Sequence, residues 1–112
     1  MNGSRVCVVL ATFNGERFLP AQIESIQAQS HTDWTLLISD DGSTDRTSDV
    51  IAAYCASDPR LECLPSRGGR AGHVGNFEYL LQAALERGAQ LIFLADQDDI
   101  WLPEKLGSML EH

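Results

Sequence analysis

The chain has 112 residues, 44% of them hydrophobic and 21% charged, which suits one small globular domain with a real core and leaves little room for two. Sixteen acidic against eight basic residues give a formal charge of -8, a balance that argues against broad binding to the phosphate backbone of DNA or RNA. No apolar stretch is long enough to span a bilayer, and the first residues lack the basic and apolar segments of a signal peptide, so the cytoplasm is the expected location.

Taken in order, Arg5 to Ala11 holds Val6-Cys7-Val8-Val9-Leu10, a β-branched apolar run expected to form a central strand with both faces covered. Asn14-Gly15 ends it with a turn signal, and no strand follows, so it opens a strand-to-helix loop. From Pro20 onward, Ile23 and Ile26 sit at helical spacing, with proline tolerated in the first turn and the helix ending near Gln29-Ser30. Trp34 to Ser39 is a second strand that runs straight into Asp40-Asp41-Gly42-Ser43-Thr44-Asp45. Ser43 or Thr44 is expected to cap the next helix, with Asp45 in its first turn and its end before Pro59.

Leu61 to Leu64 reads as a short third strand, at an edge because Glu62 is charged. Pro65 to His73 is a glycine-rich loop whose Arg67 and Arg70 either approach a phosphate or merely solubilise a solvent-facing turn. Gly75 to Arg87 carries Phe77, Leu80, Leu81, Ala84 and Leu85 at helical spacing, with Gly88 placed to terminate the helix. Leu91 to Ala95 is expected to be a buried fourth strand, and Pro103 opens a final short helix through Met109. The alternation of strand and helix predicts an α/β domain with a mostly parallel sheet and helices on both faces.

Such a sheet puts the loops at the strands' carboxyl ends along one rim, where open α/β sheets bind ligands. Two acidic groups fall there: Asp40-Asp41, and Asp96, Asp98 and Asp99 after the fourth strand. Clustered carboxylates repel one another, and a hard divalent cation relieves that repulsion by accepting their oxygens. If strand geometry persists through Asp98, Asp96 and Asp98 project from one face. The competing reading is an acidic turn, with Asp98 or Asp99 capping the helix before Pro103. The first loop lacks the glycines of a dinucleotide site and there is no P-loop lysine, so hydride transfer is disfavoured. The two clusters instead suit a hydrogen-bonding base or ribose joined to a metal-bound diphosphate.

Cys7, Cys55 and Cys63 lack metal-ligand spacing and are expected to be reduced core thiols, which makes structural zinc improbable. Glu78, Glu86 and Glu104 fall in helices and are expected to face solvent, and His31 and His73 to be ordinary surface. Trp101, flanked by Ile100 and Leu102, is expected to pack in the core. The ending Leu110-Glu111-His112 is similar to the start of a purification tag, so residues 1–110 are expected to be the domain and 111–112 tag residues.

The ordered pattern Ala11-Thr12-Phe13-Asn14-Gly15, Gln22-Ile23-Glu24-Ser25-Ile26, Ser39-Asp40-Asp41-Gly42-Ser43-Thr44-Asp45, Asn76-Phe77 and Asp96-Gln97-Asp98-Asp99-Ile100-Trp101-Leu102-Pro103 resembles family 2 glycosyltransferases of the GT-A fold. Its last part is similar to the rhamnosyltransferase-like branch that builds cell-surface polysaccharides. The resemblance implies the nucleotide-sugar-binding half of a Rossmann-like GT-A domain. It places Ala11 and Phe13 against the base, with Glu16 nearby, Asp41 on the base imide and Asp40 supporting the loop. Asp96 would approach the ribose and a metal-bound water, and Asp98 would ligate Mn²⁺ or Mg²⁺ on the donor diphosphate, with Asp99 in support. Arg67 or Arg70 would hold phosphate.

The resemblance further implies a dTDP-rhamnose or UDP-sugar donor, a saccharide or lipid-linked saccharide acceptor, and a catalytic base in a C-terminal half outside these residues. The fragment alone is then expected to be inactive, and regions outside it would provide any peripheral contact with the inner face of the membrane. The competing functions are a noncatalytic nucleotide- or sugar-binding module, and a phosphotransfer receiver whose aspartates hold Mg²⁺. The second would need a signalling lysine that Lys105 alone does not supply.

Overall fold

Four apolar runs become strands, and the amphipathic segments between them become helices. A computed structural model describes residues 6–65, 71–95 and 100–110. In chain order the elements are β1 (Val6–Thr12), α1 (Leu19–Gln27), β2 (Thr35–Asp40), α2 (Thr47–Ser57), β3 (Leu61–Cys63), α3 (Gly72–Glu86), β4 (Leu91–Ala95) and α4 (Lys105–Leu110). The strands lie in the order β3-β2-β1-β4, and each neighbouring pair is parallel.

Alternation along β1 divides the core between the two faces of the sheet. Val6, Val8 and Leu10 pack with Ile23 and Ile26 of α1, Ile51 of α2 and Leu106 of α4. Cys7, Val9 and Ala11 meet Leu80, Ala83 and Ala84 of α3 on the other face. The expected α/β architecture, with a parallel sheet and helices on both sides, is the one observed. Trp101 lies in the core, while Glu78, Glu86 and Glu104 are exposed, as expected. No described helix is long and apolar enough to cross a membrane.

Several expectations are corrected. The fourth strand was expected to be buried, yet Leu94 is 56% exposed and Leu91 is exposed as well. Among the described strands β4 pairs with β1 alone, and a run's hydrophobicity does not encode how many neighbours it has. Helix α2 starts at Thr47 and not just after Ser43 or Thr44, because those residues are spent on cross-links to the first loop. Helix α3 starts earlier than its apolar periodicity suggests, at Gly72, where a distant carboxylate supplies its cap. Gly88, with φ of 82°, takes the left-handed conformation that ends α3. Of the three thiols only Cys7 is buried, and burial pushes it above its usual range; Cys55 is half-buried and Cys63 lies exposed on edge strand β3.

Two polar clamps brace this arrangement. Gln29, 2% exposed, donates from Nε2 to the carbonyls of Ser25 (3.2 Å) and Leu102 (2.7 Å), while its Oε1 accepts from the Leu106 N–H (2.9 Å). At the amino-end rim, Asp58 accepts from Arg60 Nη2 (2.9 Å) and Nε (3.1 Å) and from Gln27 Nε2 (3.0 Å).

The Arg60 guanidinium holds the Asp58 carboxyl down to about 2. A carboxyl depressed on folding stabilises the protein above its unfolded pKa and loses that contribution as pH falls through the folded value. Asp58→Asn is therefore expected to cost on the order of 1–2 kcal/mol at neutral pH. The deficit relative to the parent should shrink between about pH 4 and pH 2, as read by denaturant titrations at each pH.

Candidate functional site

The register sets the geometry of the carboxyl-end rim. Thr12 at the end of β1 pairs with Asp40 at the end of β2, and Leu10 pairs with Ala95, the last residue of β4. The loops after β2 and β4 therefore leave the sheet on either side of β1. Asp96, Asp98 and Asp99, read as ribose and metal groups, lie outside the described residues, as do Arg67 and Arg70.

The first two rim loops are knitted together. Asn14 adopts a φ of 50°, a left-handed conformation that asparagine tolerates better than most residues. Its Oδ1 accepts from the Thr44 N–H (2.8 Å), and its own N–H donates to Ser43 Oγ (2.7 Å). The Gly15 N–H donates to Thr47 Oγ1 (2.9 Å), and Glu16 Oε1 accepts from the Arg46 N–H (3.2 Å). Asp45 accepts from both the N–H (3.0 Å) and the hydroxyl (2.5 Å) of Thr47, and that hydroxyl holds the Asp45 carboxyl below its usual range.

Asp40 accepts from the Ser43 N–H (3.1 Å) and from the Ser43 hydroxyl, so it is bonded within its own loop. Asp41 is 5% exposed. Its N–H donates to the Thr12 carbonyl (2.9 Å), which extends the β1–β2 ladder by one residue. Its Oδ1 accepts from the Ala71 N–H (2.6 Å) and its Oδ2 from the Gly72 N–H (3.0 Å), at the amino end of α3. Both carboxylate oxygens therefore act as acceptors toward the helix end.

Among the other expected base contacts, Ala11 is buried with its side chain in the α3-facing core, Phe13 is half-buried in the first loop, and Glu16 is tied to the start of α2. Among the described residues no three His, Cys, Asp or Glu side chains come together to hold a metal. Asp40, Asp41 and Asp45 each accept from the chain's own donors, so the described rim carboxylates are committed to loop and helix ends.

The sequence pattern assigned Thr47 no role, offered Ser43 or Thr44 only as a helix cap and Asn14 only as a turn residue, and carried Asn76 only as part of the family pattern. Asn14-Gly15 was visible as a turn, but its cross-links span about thirty residues and leave no local signal. Asn76 had one: it falls on α3's apolar stripe, four residues before Leu80.

Residues 7–112 match the family described as Glycosyl transferase family 2. The dTDP-rhamnosyl transferase RfbG of Shigella flexneri is 34% identical over 103 residues, covering 91% of this chain and 36% of that protein. The structure of Staphylococcus aureus TarS 1-349 in complex with UDP-GlcNAc superposes with a TM-score of 0.77 at 22% identity, over 95% of this chain and 30% of that one. The mannosyltransferase PcManGT of Pyrobaculum calidifontis, in complex with GDP-Man and Mn²⁺, does so with a TM-score of 0.72 at 21% identity, over 89% and 29%. The last two likenesses are of fold. The chain spans about a third of the length of the curated relatives it matches.

Proposed function

The chain belongs to glycosyl transferase family 2, and from that premise we propose that it binds the donor of a metal-dependent sugar transfer, a nucleotide-sugar such as dTDP-rhamnose or a UDP-sugar. The observation that carries this reading is the rim: Asp41 and the exit of β4 flank the end of β1, within one sheet edge of each other. On this reading Asp41 accepts from the base imide N–H, and Ala11, Phe13 and Glu16 form the surround of the base. Asp40 keeps the loop in place. Asp96 faces the ribose and Asp98 holds Mn²⁺ or Mg²⁺, both assigned from the sequence pattern, with Arg67 or Arg70 on phosphate. The cation would offset the charge that develops on the departing diphosphate.

The proposed acceptor is a saccharide or lipid-linked saccharide of a cell-surface polysaccharide, met at the cytoplasmic side of the membrane. The base that deprotonates its hydroxyl is not assigned to Glu78, Glu86 or Glu104, which are exposed, but to residues beyond these.

Calorimetry with UDP and dTDP, with and without Mn²⁺, tests the arrangement. Metal and nucleotide are expected to bind cooperatively, Mn²⁺ tightening the nucleotide by about tenfold or more. Asp98→Ala should remove most of that gain without unfolding the chain. Equal affinity with and without Mn²⁺ in both proteins would sink the metal assignment. A full-length protein that binds donor but transfers no sugar to any acceptor would be a noncatalytic binding module.

A further inference from the structure

Asn76 is a polar residue where packing calls for an apolar one. Helix α3 turns Asn76, Leu80, Ala83 and Ala84 toward the sheet, and Asn76 is 3% exposed. Its amide is spent on a single partner: Ser39 Oγ donates to Asn76 Oδ1 (2.5 Å), and Asn76 Nδ2 donates to the Ser39 carbonyl (2.9 Å). Ser39 lies two residues before Asp41, so both side chains leave β2 on the α3 side. Asn76 lies four residues after Gly72, one turn deeper on the same helix face. The first turn of α3 therefore meets the end of β2 at two points. Asn76 grips Ser39, and the Ala71 and Gly72 N–H groups grip Asp41.

We infer that Asn76 is a positioning residue for nucleobase selection, holding α3 at the depth at which its first N–H groups fix the Asp41 carboxylate toward the base. The inference rests on the reading of Asp41 as the partner of the base imide. A leucine at this position would fill the space but would leave the Ser39 carbonyl without its amide donor. Helix α3 would then be free to shift along β2, and the Asp41 oxygens would follow the N–H groups they accept from. The consequence falls on the base and not on the diphosphate, because Asp41 offers the ligand only an acceptor.

The test compares UDP with 3-N-methyl-UDP, which lacks the imide proton, by calorimetry on the parent and on Asn76→Ala. The parent is expected to prefer UDP. Asn76→Ala should bind UDP roughly tenfold more weakly while its affinity for 3-N-methyl-UDP stays nearly constant. A parallel loss for both nucleotides, or an unchanged preference, would overturn the inference, since a merely structural residue acts on both alike. A parent with no preference would instead defeat the assignment of Asp41 to the imide, a result separable from any effect of Asn76. If circular dichroism shows Asn76→Ala unfolded, Ser39→Ala removes the hydroxyl bond and keeps the amide-to-carbonyl bond. It should then reduce the preference in part, and an undiminished preference counts against the inference in the same way.

Discussion

Gln29→Leu is expected to destabilise the chain by on the order of 3 kcal/mol, because it strips partners from the buried Leu106 N–H and from the part-buried Ser25 and Leu102 carbonyls while preserving side-chain volume. The Leu106 N–H is in the first turn of α4, where helix geometry supplies no acceptor, and Gln29 Oε1 is the cap it uses. The Leu102 carbonyl keeps its bond from the Lys105 N–H (3.0 Å) but loses the shorter one from Gln29 Nε2. Two further bonds tie the same segment to α1 and the turn after it: the Trp101 N–H donates to Ser25 Oγ (3.0 Å), and the Ser30 N–H to the Pro103 carbonyl (2.8 Å). Thermal unfolding should shift down by on the order of 10 °C, given the enthalpy of a domain of this size. Gln29→Glu should fall between parent and leucine variant, since it keeps an acceptor for Leu106 but loses both donated bonds. A melting temperature for Gln29→Leu within a degree or two of the parent would show that water replaces the clamp without cost.

That clamp also marks where the sequence was legible and where it was not. Apolar runs bounded by Asn14-Gly15, Gly42, Pro59 and Gly88 were enough to place every strand and helix, because burial periodicity and turn chemistry are local properties. The rim followed from topology, since consecutive β-α-β units leave little choice of handedness or direction. Tertiary choices did not follow. The start of α3 at Gly72 depends on a carboxylate thirty-one residues away, and nothing in Gly72-His73-Val74 announces a helix, Val74 being largely exposed. The start of α2 shifted because Ser43 and Thr44 bond across to Asn14 and so are unavailable as caps. The exposure of β4 is a matter of neighbours and not of composition. Gln22, Gln29 and Asn76 are instructive in a different way. Each sits in phase with an apolar stripe, Leu19-Ile23-Ile26 or Leu80-Ala83-Ala84, and for Gln29 and Asn76 a polar residue in that phase is a readable sign of a buried polar partner.

The largest functional effect is expected at Asp41. If Asp41 meets the base as proposed, Asp41→Ala should weaken UDP or dTDP binding by roughly 100-fold, since it removes a charged acceptor and also releases the amino end of α3 that it holds. It should at the same time cost about 1 kcal/mol of stability, as loss of a helix cap does. The two consequences are separable with Asp41→Asn. An amide keeps one acceptor oxygen but turns donor hydrogens toward the second α3 N–H, so it can satisfy Ala71 or Gly72 and not both. That variant should recover part of the stability and little of the affinity, because a base imide N–H also needs an acceptor. Should Asp41→Ala lose stability yet bind UDP as tightly as the parent, the carboxylate would be the cap of α3 and nothing more. A nucleotide bound at the rim, as proposed, would then be recognised through Phe13 and the first loop.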